Sequence, residues 1–240
     1  TGANLSEANL SEANLIRAKL IGAELYEANL NGADLKGADL IRAELHGVNL
    51  NGADLERANL EGANLGEVEL EGAILNKANL FDTNLFNTNL RGASLGGANL
   101  RGLDLTTVNL ERVTMSGADL RGADLSSVNL TGVNLSFANL HGADLKRANL
   151  RGVNLVGADL SDTNLVGAIL SSANLNGANL NRAFLFFADI VDTVIEKEDL
   201  DAALLCYAKT ADNTVSECDL SGGNLRGIDL RGADLSAANL

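Results

Sequence analysis

The chain contains no proline and no tryptophan, and only 3% of its 240 residues are aromatic. A globular domain of this length ordinarily holds several large aromatics in its core, so the composition points to a special architecture. Two cysteines, Cys206 and Cys218, are too few for a disulfide scaffold. No apolar run is long enough to span a membrane, and no signal-peptide pattern opens the chain. Positive charge is scarce: 18 Lys and Arg face 32 Asp and Glu, giving a formal charge of −14. That balance argues against direct phosphate or nucleic-acid binding, which needs clustered Lys and Arg, and favours solubility or a cationic partner.

What the chain does have is a five-residue period. Leu stands at nearly every fifth position from Leu5 to Leu185, with Met115 substituting once, and Ile190 and Ile195 continue the series. Two residues earlier stands Ala, sometimes Val or Thr, and most often Asn or Asp lies between, as in Ala8-Asn9-Leu10 and Ala158-Asp159-Leu160. A period of five fits neither a helix nor a plain strand. Within one unit, however, Ala and Leu are two apart and share one face of an extended segment, while Asn or Asp points outward. The other two residues must turn a corner. Of the 25 glycines, all but Gly66, Gly96 and Gly223 occupy the second corner position. That is the third residue of a turn, where type II geometry needs positive φ. Corners with Glu, Arg or Asn there are expected to use another turn type.

The number of corners per coil is legible in the small inner positions. Val48, Val68, Val108 and Val128, with Thr88, fall in one class modulo 20; Val113, Val133 and Val153 fall in a second; Thr83, Leu103 and Thr163 fall in a third. The fourth class is Ala throughout, from Ala18 to Ala178. Larger inner residues thus recur at a period of 20, which predicts four pentads per coil. Stacked at about 4.8 Å, residues 1–195 would make roughly ten coils and a rod of about 47 Å. Val or Leu at an inner position should swell the coil locally.

These Ala-Asn/Asp-Leu-x-x units resemble the pentapeptide repeat family over most of the chain. The resemblance implies an all-β fold, a right-handed quadrilateral parallel β-helix, here with 20 residues per coil and a short helical interruption. The family is abundant in cyanobacteria and includes gyrase-targeting proteins that imitate DNA. The implied function is a noncatalytic scaffold or protein–protein interaction module with an unknown protein partner. The alternative is a DNA mimic acting on gyrase or another DNA-binding protein. A part in envelope or cell-differentiation processes is a further implication by analogy.

The repeat of residues 1–195 breaks at 196–215 and resumes over 216–240. The break reads as a helix from Glu196 to Lys209, with Leu200, Ala203, Leu204, Tyr207 and Ala208 on one face, followed by a loop. Neither end carries a visible polar cap, so the reading is a repeat domain of a longer chain, with end-to-end self-association as one consequence.

Catalysis needs convergent polar groups in a pocket, which a Leu-filled rod does not offer. No catalytic residue, metal site or cofactor site is expected, and His46 and His141 fall on different columns. The candidate interaction surface has three parts. Phe184, Phe186 and Phe187 make outward and corner positions aromatic, either under the helix or as a partner site. Asp104, Asp124 and Asp144 should stack as an acidic strip, screened by a ladder of Arg101, Arg121 and His141. Ile21 and Ile41 form an apolar corner column with Ile16 nearby, and Phe81 and Phe86 mark another coil. Cys206 and Cys218 are either two free thiols or a disulfide joining the interruption to the rod, which would imply an oxidising compartment.

Overall fold

The computed structural model describes residues 2–210. Parallel bridges link residues 20 apart along nearly its whole length, as in Asn9 to Asn29, Asn14 to Asp34, Lys19 to Asp39 and Glu24 to Glu44. Each rung has the same form. The Leu30 N–H donates to the Asn49 carbonyl at 2.8 Å, and the Asn49 N–H donates to the Ala28 carbonyl at 3.1 Å. This is a β-helix whose hydrogen bonds run between successive coils.

The inward set is as the period requires. From Leu25 to Leu185 every fifth residue is buried, and the intervening small residues pack against them in one continuous core. Each fully buried Leu contributes roughly 1.5–3 kcal/mol by removal from water, so core stabilisation accumulates coil by coil.

The corners correct the expectation from sequence. Gly52 has φ 66° as foreseen, but Glu12, Arg57, Asn87 and Phe137 at the same corner position also have φ of 57°, 58°, 54° and 59°. The Ala38 N–H donates to the Leu35 carbonyl at 2.9 Å, closing a four-residue turn, and the corners without Gly close in the same way. Stacking favours one turn at nearly every corner, because most corner N–H groups reach the carbonyl of the next coil; Thr107 is absent from the left-handed set and lies in the disturbed stretch that follows Leu103. The Arg57 N–H, for example, donates to the Asn76 carbonyl at 2.9 Å. A side chain in the left-handed region costs about 1–2 kcal/mol, which these rungs offset.

The expected swelling occurs where inner residues are largest. Leu103 stands in a column otherwise occupied by Ala or Thr, and Val108 and Val113 follow in the next two pentads. The bridges Asn84–Asp104 and Asn109–Asn129 are missing, although every neighbouring bridge in both columns is made. The Leu103 turn bond lengthens to 3.4 Å and the Val113 turn bond to 3.3 Å. Thr83, Leu103 and Val108 become 8%, 5% and 7% exposed, whereas most inner Ala are sealed. Between Leu80–Asn99 and Leu90–Asn109, both 3.0 Å, no backbone rung joins residues 82–87 to 101–106 among the described residues. The Asn87 N–H turns instead to the Thr107 hydroxyl, at 3.1 Å. A larger inner side chain has levered one stretch of wall apart from its neighbour.

Near the end of the described residues, the helix is shorter than its apolar pattern suggests. Helix α1 covers Lys197–Asp201 only. Leu204 and Lys209 then bridge to Phe184 and Asp189, so the chain is back in coil register within the stretch expected to be helical. The competing principle is the rung: Leu204 N–H finds the Ala183 carbonyl at 2.8 Å and Lys209 N–H finds that of Ala188 at 2.8 Å. Residues 211–240, including Cys218 and the resumed repeats, lie outside the described residues.

Candidate interaction surface

The outward Asn and Asp residues have a local task that spacing alone did not reveal. The Asn79 Oδ1 accepts the Phe81 N–H at 3.2 Å, and Asp124 Oδ1 accepts the Ser126 N–H at 2.9 Å. This side-chain-to-backbone bond two residues on is the Asx turn, which only a short oxygen-bearing side chain can make. Asn also donates along the rod. Asn99 Nδ2 reaches Asn79 Oδ1 at 2.8 Å, and Asn79 Nδ2 reaches Asn59 Oδ1 at 3.0 Å. The column therefore starts each corner and ties coil to coil.

Within this frame the acidic strip forms as expected: Asp104 bridges Asp124, and Asp124 bridges Asp144. Its screening does not. Arg121 Nε donates to Asp119 Oδ1 at 2.8 Å, so the guanidinium serves the column on the other side of its corner. His141 Nδ1 lies 3.0 Å from the Ser161 hydroxyl. Asp104 is held by Thr106, whose hydroxyl and N–H both donate to Oδ1, at 2.6 and 2.9 Å. These bonds hold the Asp104 carboxyl below the usual range. Asp144 accepts from the Lys146 N–H at 2.9 Å and from Asn164 Nδ2 at 3.0 Å. Local hydrogen bonds take the place assigned to the cation ladder, because a two-residue reach orders fewer side-chain rotors than an arginine crossing three residues.

The aromatic cluster is mostly closed. Phe184 and Phe186 are 5% and 0% exposed and pack edge to face, with ring centroids 5.9 Å apart. Neither offers surface to a partner, which corrects their place in the candidate set. Phe187 remains 47% exposed and stacks on Tyr207 at 5.6 Å. The returning coil explains the difference, since it places Leu204, Cys206 and Tyr207 one coil beyond Phe184, Phe186 and Phe187. Cys206 is buried, and Cys218 lies outside the described residues. Ile21 and Ile41 are half-buried, while Ile16 is exposed.

Other large apolar residues stand out more. Phe81 and Phe86 are 43% and 54% exposed, and Phe137 is 67% exposed. The sequence held a signal for Phe137 in the form of an aromatic at a second corner. The two histidines stay apart: His46 lies 3.9 Å from Glu67, and His141 lies 3.9 Å from Asp162. Among the described residues no three His, Cys, Asp or Glu are grouped to hold a metal ion, and no helix is long and apolar enough to cross a membrane.

The model of pentapeptide repeats matches in eight copies, over residues 1–37, 20–57, 38–76, 53–92, 78–117, 108–147, 148–185 and 216–240. The chain belongs to the pentapeptide repeat family. Among solved pentapeptide repeat structures it is similar to HetL from the cyanobacterium Nostoc sp. strain PCC 7120, described as involved in heterocyst differentiation regulation. Identity is 34% over 90% of this chain and 92% of HetL, with a TM-score of 0.35. A second protein of that strain, alr5209, is 36% identical over 48% of this chain and 82% of its own, with a TM-score of 0.26. Full-length QnrB1, a plasmid-mediated fluoroquinolone resistance protein, is 18% identical over 87% of this chain and 92% of its own, with a TM-score of 0.39. No curated protein matches.

Proposed function

We propose that this pentapeptide repeat chain is a noncatalytic interaction module, a right-handed, four-sided rod whose outer columns dock a protein partner. The observation that carries the reading is how the polar groups are used. Inward positions are filled by Leu and small residues, while outward Asn and Asp are engaged in Asx turns and coil-to-coil bonds. Polar side chains are spent on building the wall, and what varies along it is charge and aromatic exposure. Such a surface distinguishes partners by pattern rather than by a pocket. The chain's two cysteines, Cys206 and Cys218, are proposed to pair with one another and join the interruption to the rod.

The test is photo-crosslinking from single outward positions on each column, in the cells that make the protein. Discrete protein adducts from one column support the module; adducts from none would remove it. The DNA-mimic alternative draws on the formal charge of −14. A gyrase supercoiling assay separates the two, since a mimic inhibits or protects the enzyme and a module for another partner leaves it unchanged.

A further inference from the structure

Phe81 and Phe86 are the first residues of two successive turns and flank the same extended segment, Thr83-Asn84-Leu85. Both rings face solvent. The wall just beyond them is the stretch where the ladder opens beside Leu103, leaving the N–H groups of Leu85 and Asp104 without a backbone partner among the described residues. Such groups require water or a ligand. The next three residues of the same outward column are Asp104, Asp124 and Asp144. Glu61, Glu67 and Asp82 are exposed around the two rings, with Arg101 in the next coil; Arg121 is turned to Asp119, and Lys146 stands beside Asp144 at the far end of the ladder. One side of the rod thus presents an aromatic pair at one end of an acidic ladder.

We propose that this side docks an amphipathic basic helix of a partner protein, lying along the rod axis. Its large apolar residues would cover Phe81 and Phe86, and its Lys or Arg residues, one per turn, would face Asp104, Asp124 and Asp144. Charge complementarity selects the sign. Spacing selects the element: a helix advances about 5.4 Å per turn and the ladder about 4.8 Å per coil. Over three carboxylates the mismatch stays near 1 Å, within the reach of flexible basic side chains. Apolar anchors seated beside complementary charge are how helices are held on protein surfaces.

The inference rests on the interaction-module reading, and its test is separate from the crosslinking above. The probe is a synthetic Leu/Lys amphipathic helix of about four turns, roughly 15 residues, with a Leu/Glu peptide as its counterpart. Titration followed by calorimetry should show binding of the Lys peptide that weakens with salt, and none of the Glu peptide. Joint Phe81→Ala and Phe86→Ala should weaken it about tenfold or more. Asp104→Asn with Asp124→Asn should weaken it and flatten the salt dependence. Phe137→Ala and Glu12→Gln, elsewhere on the rod, should leave it unchanged. No binding at about 1 mM peptide, undiminished binding to the Phe variant, or equal loss in the controls would overturn the proposal. So would a dimer in sedimentation that the Phe substitutions dissolve, because the surface would then belong to a second copy. None of these outcomes bears on adducts formed from other columns, so the broader reading can stand when this one falls.

Discussion

Arg121 folds back onto Asp119, its Nε donating to Oδ1 at 2.8 Å, and leaves Asp124 to the Ser126 N–H. The pair sits at a corner, with the arginine side chain 43% and the aspartate 28% exposed, so its contribution is modest.

The hydrogen bond from Arg121 is the main reason the Asp119 carboxyl lies below its ordinary value of 3.8. A carboxyl lowered in the folded state adds stability that is complete above the unfolded value and is lost as pH falls through the folded one. Arg121→Ala should therefore cost at most about 1 kcal/mol near neutral pH, more at low salt than at high salt. The deficit should close in acid, below the ordinary aspartate range. Urea titrations across pH and ionic strength check this, and a deficit of equal size in strong acid would contradict it.

The open rungs beside Leu103 make a prediction for single amides. Leu85 and Asp104 N–H groups have no backbone acceptor among the described residues, whereas Leu65 N–H donates to the Asn84 carbonyl at 2.8 Å and Asp124 N–H to the Leu103 carbonyl at 2.9 Å. Hydrogen exchange should be faster at Leu85 and Asp104 than at Leu65 and Asp124. Leu103→Ala should slow both fast amides by letting the wall close. Its loss of stability should fall below the about 2–5 kcal/mol usual for such a truncation, because regained rungs offset part of it. Unchanged exchange in the variant would show that Leu103 is not the lever.

Corner strain can be separated from corner crowding. At Gly52, φ is 66° and a Cβ would meet nothing within 4 Å, so Gly52→Ala should cost only the left-handed term, about 1–2 kcal/mol. At Gly157 a Cβ would lie 2.7 Å from two carbons of the Phe137 ring. Gly157→Ala should cost more, and Phe137→Ala should remove the excess. A double-mutant cycle in thermal unfolding measures it; additive losses would mean that the ring swings aside freely.

The Asn column predicts intolerance to charge. Asn79 Nδ2 donates to Asn59 Oδ1 at 3.0 Å and to Glu61 Oε2 at 3.2 Å. Asn79→Asp keeps the acceptor for Phe81 but removes both donations and sets a carboxylate beside Glu61. It should destabilise by roughly 1–3 kcal/mol near neutral pH. Repulsion from Glu61 raises the new carboxyl's pKa, so the deficit should shrink as pH falls through that raised value. Unfolding at two pH values is sufficient to test the sign.

The amino-acid sequence alone determined the five-residue period, the buried Leu and Ala columns and the location of the corners. Side-chain volume classed the inner positions at a period of 20 and predicted local swelling at Val or Leu. Each of these is a local rule, readable from spacing, size and backbone preference. Only the tertiary structure showed that the wall gives beside Leu103 and Val108 and holds at Val48, Val68, Val133 and Val153. It alone decided which partner Arg121 takes, that Phe184 and Phe186 are sealed while Phe81 and Phe86 are not, and that Glu, Arg and Phe corners adopt the same left-handed turn as Gly. It also cut the expected helix to Lys197–Asp201. These outcomes depend on the residue one coil away, 20 positions along the chain. A rung or an occupied neighbouring column there outweighs the intrinsic preference of the residue itself.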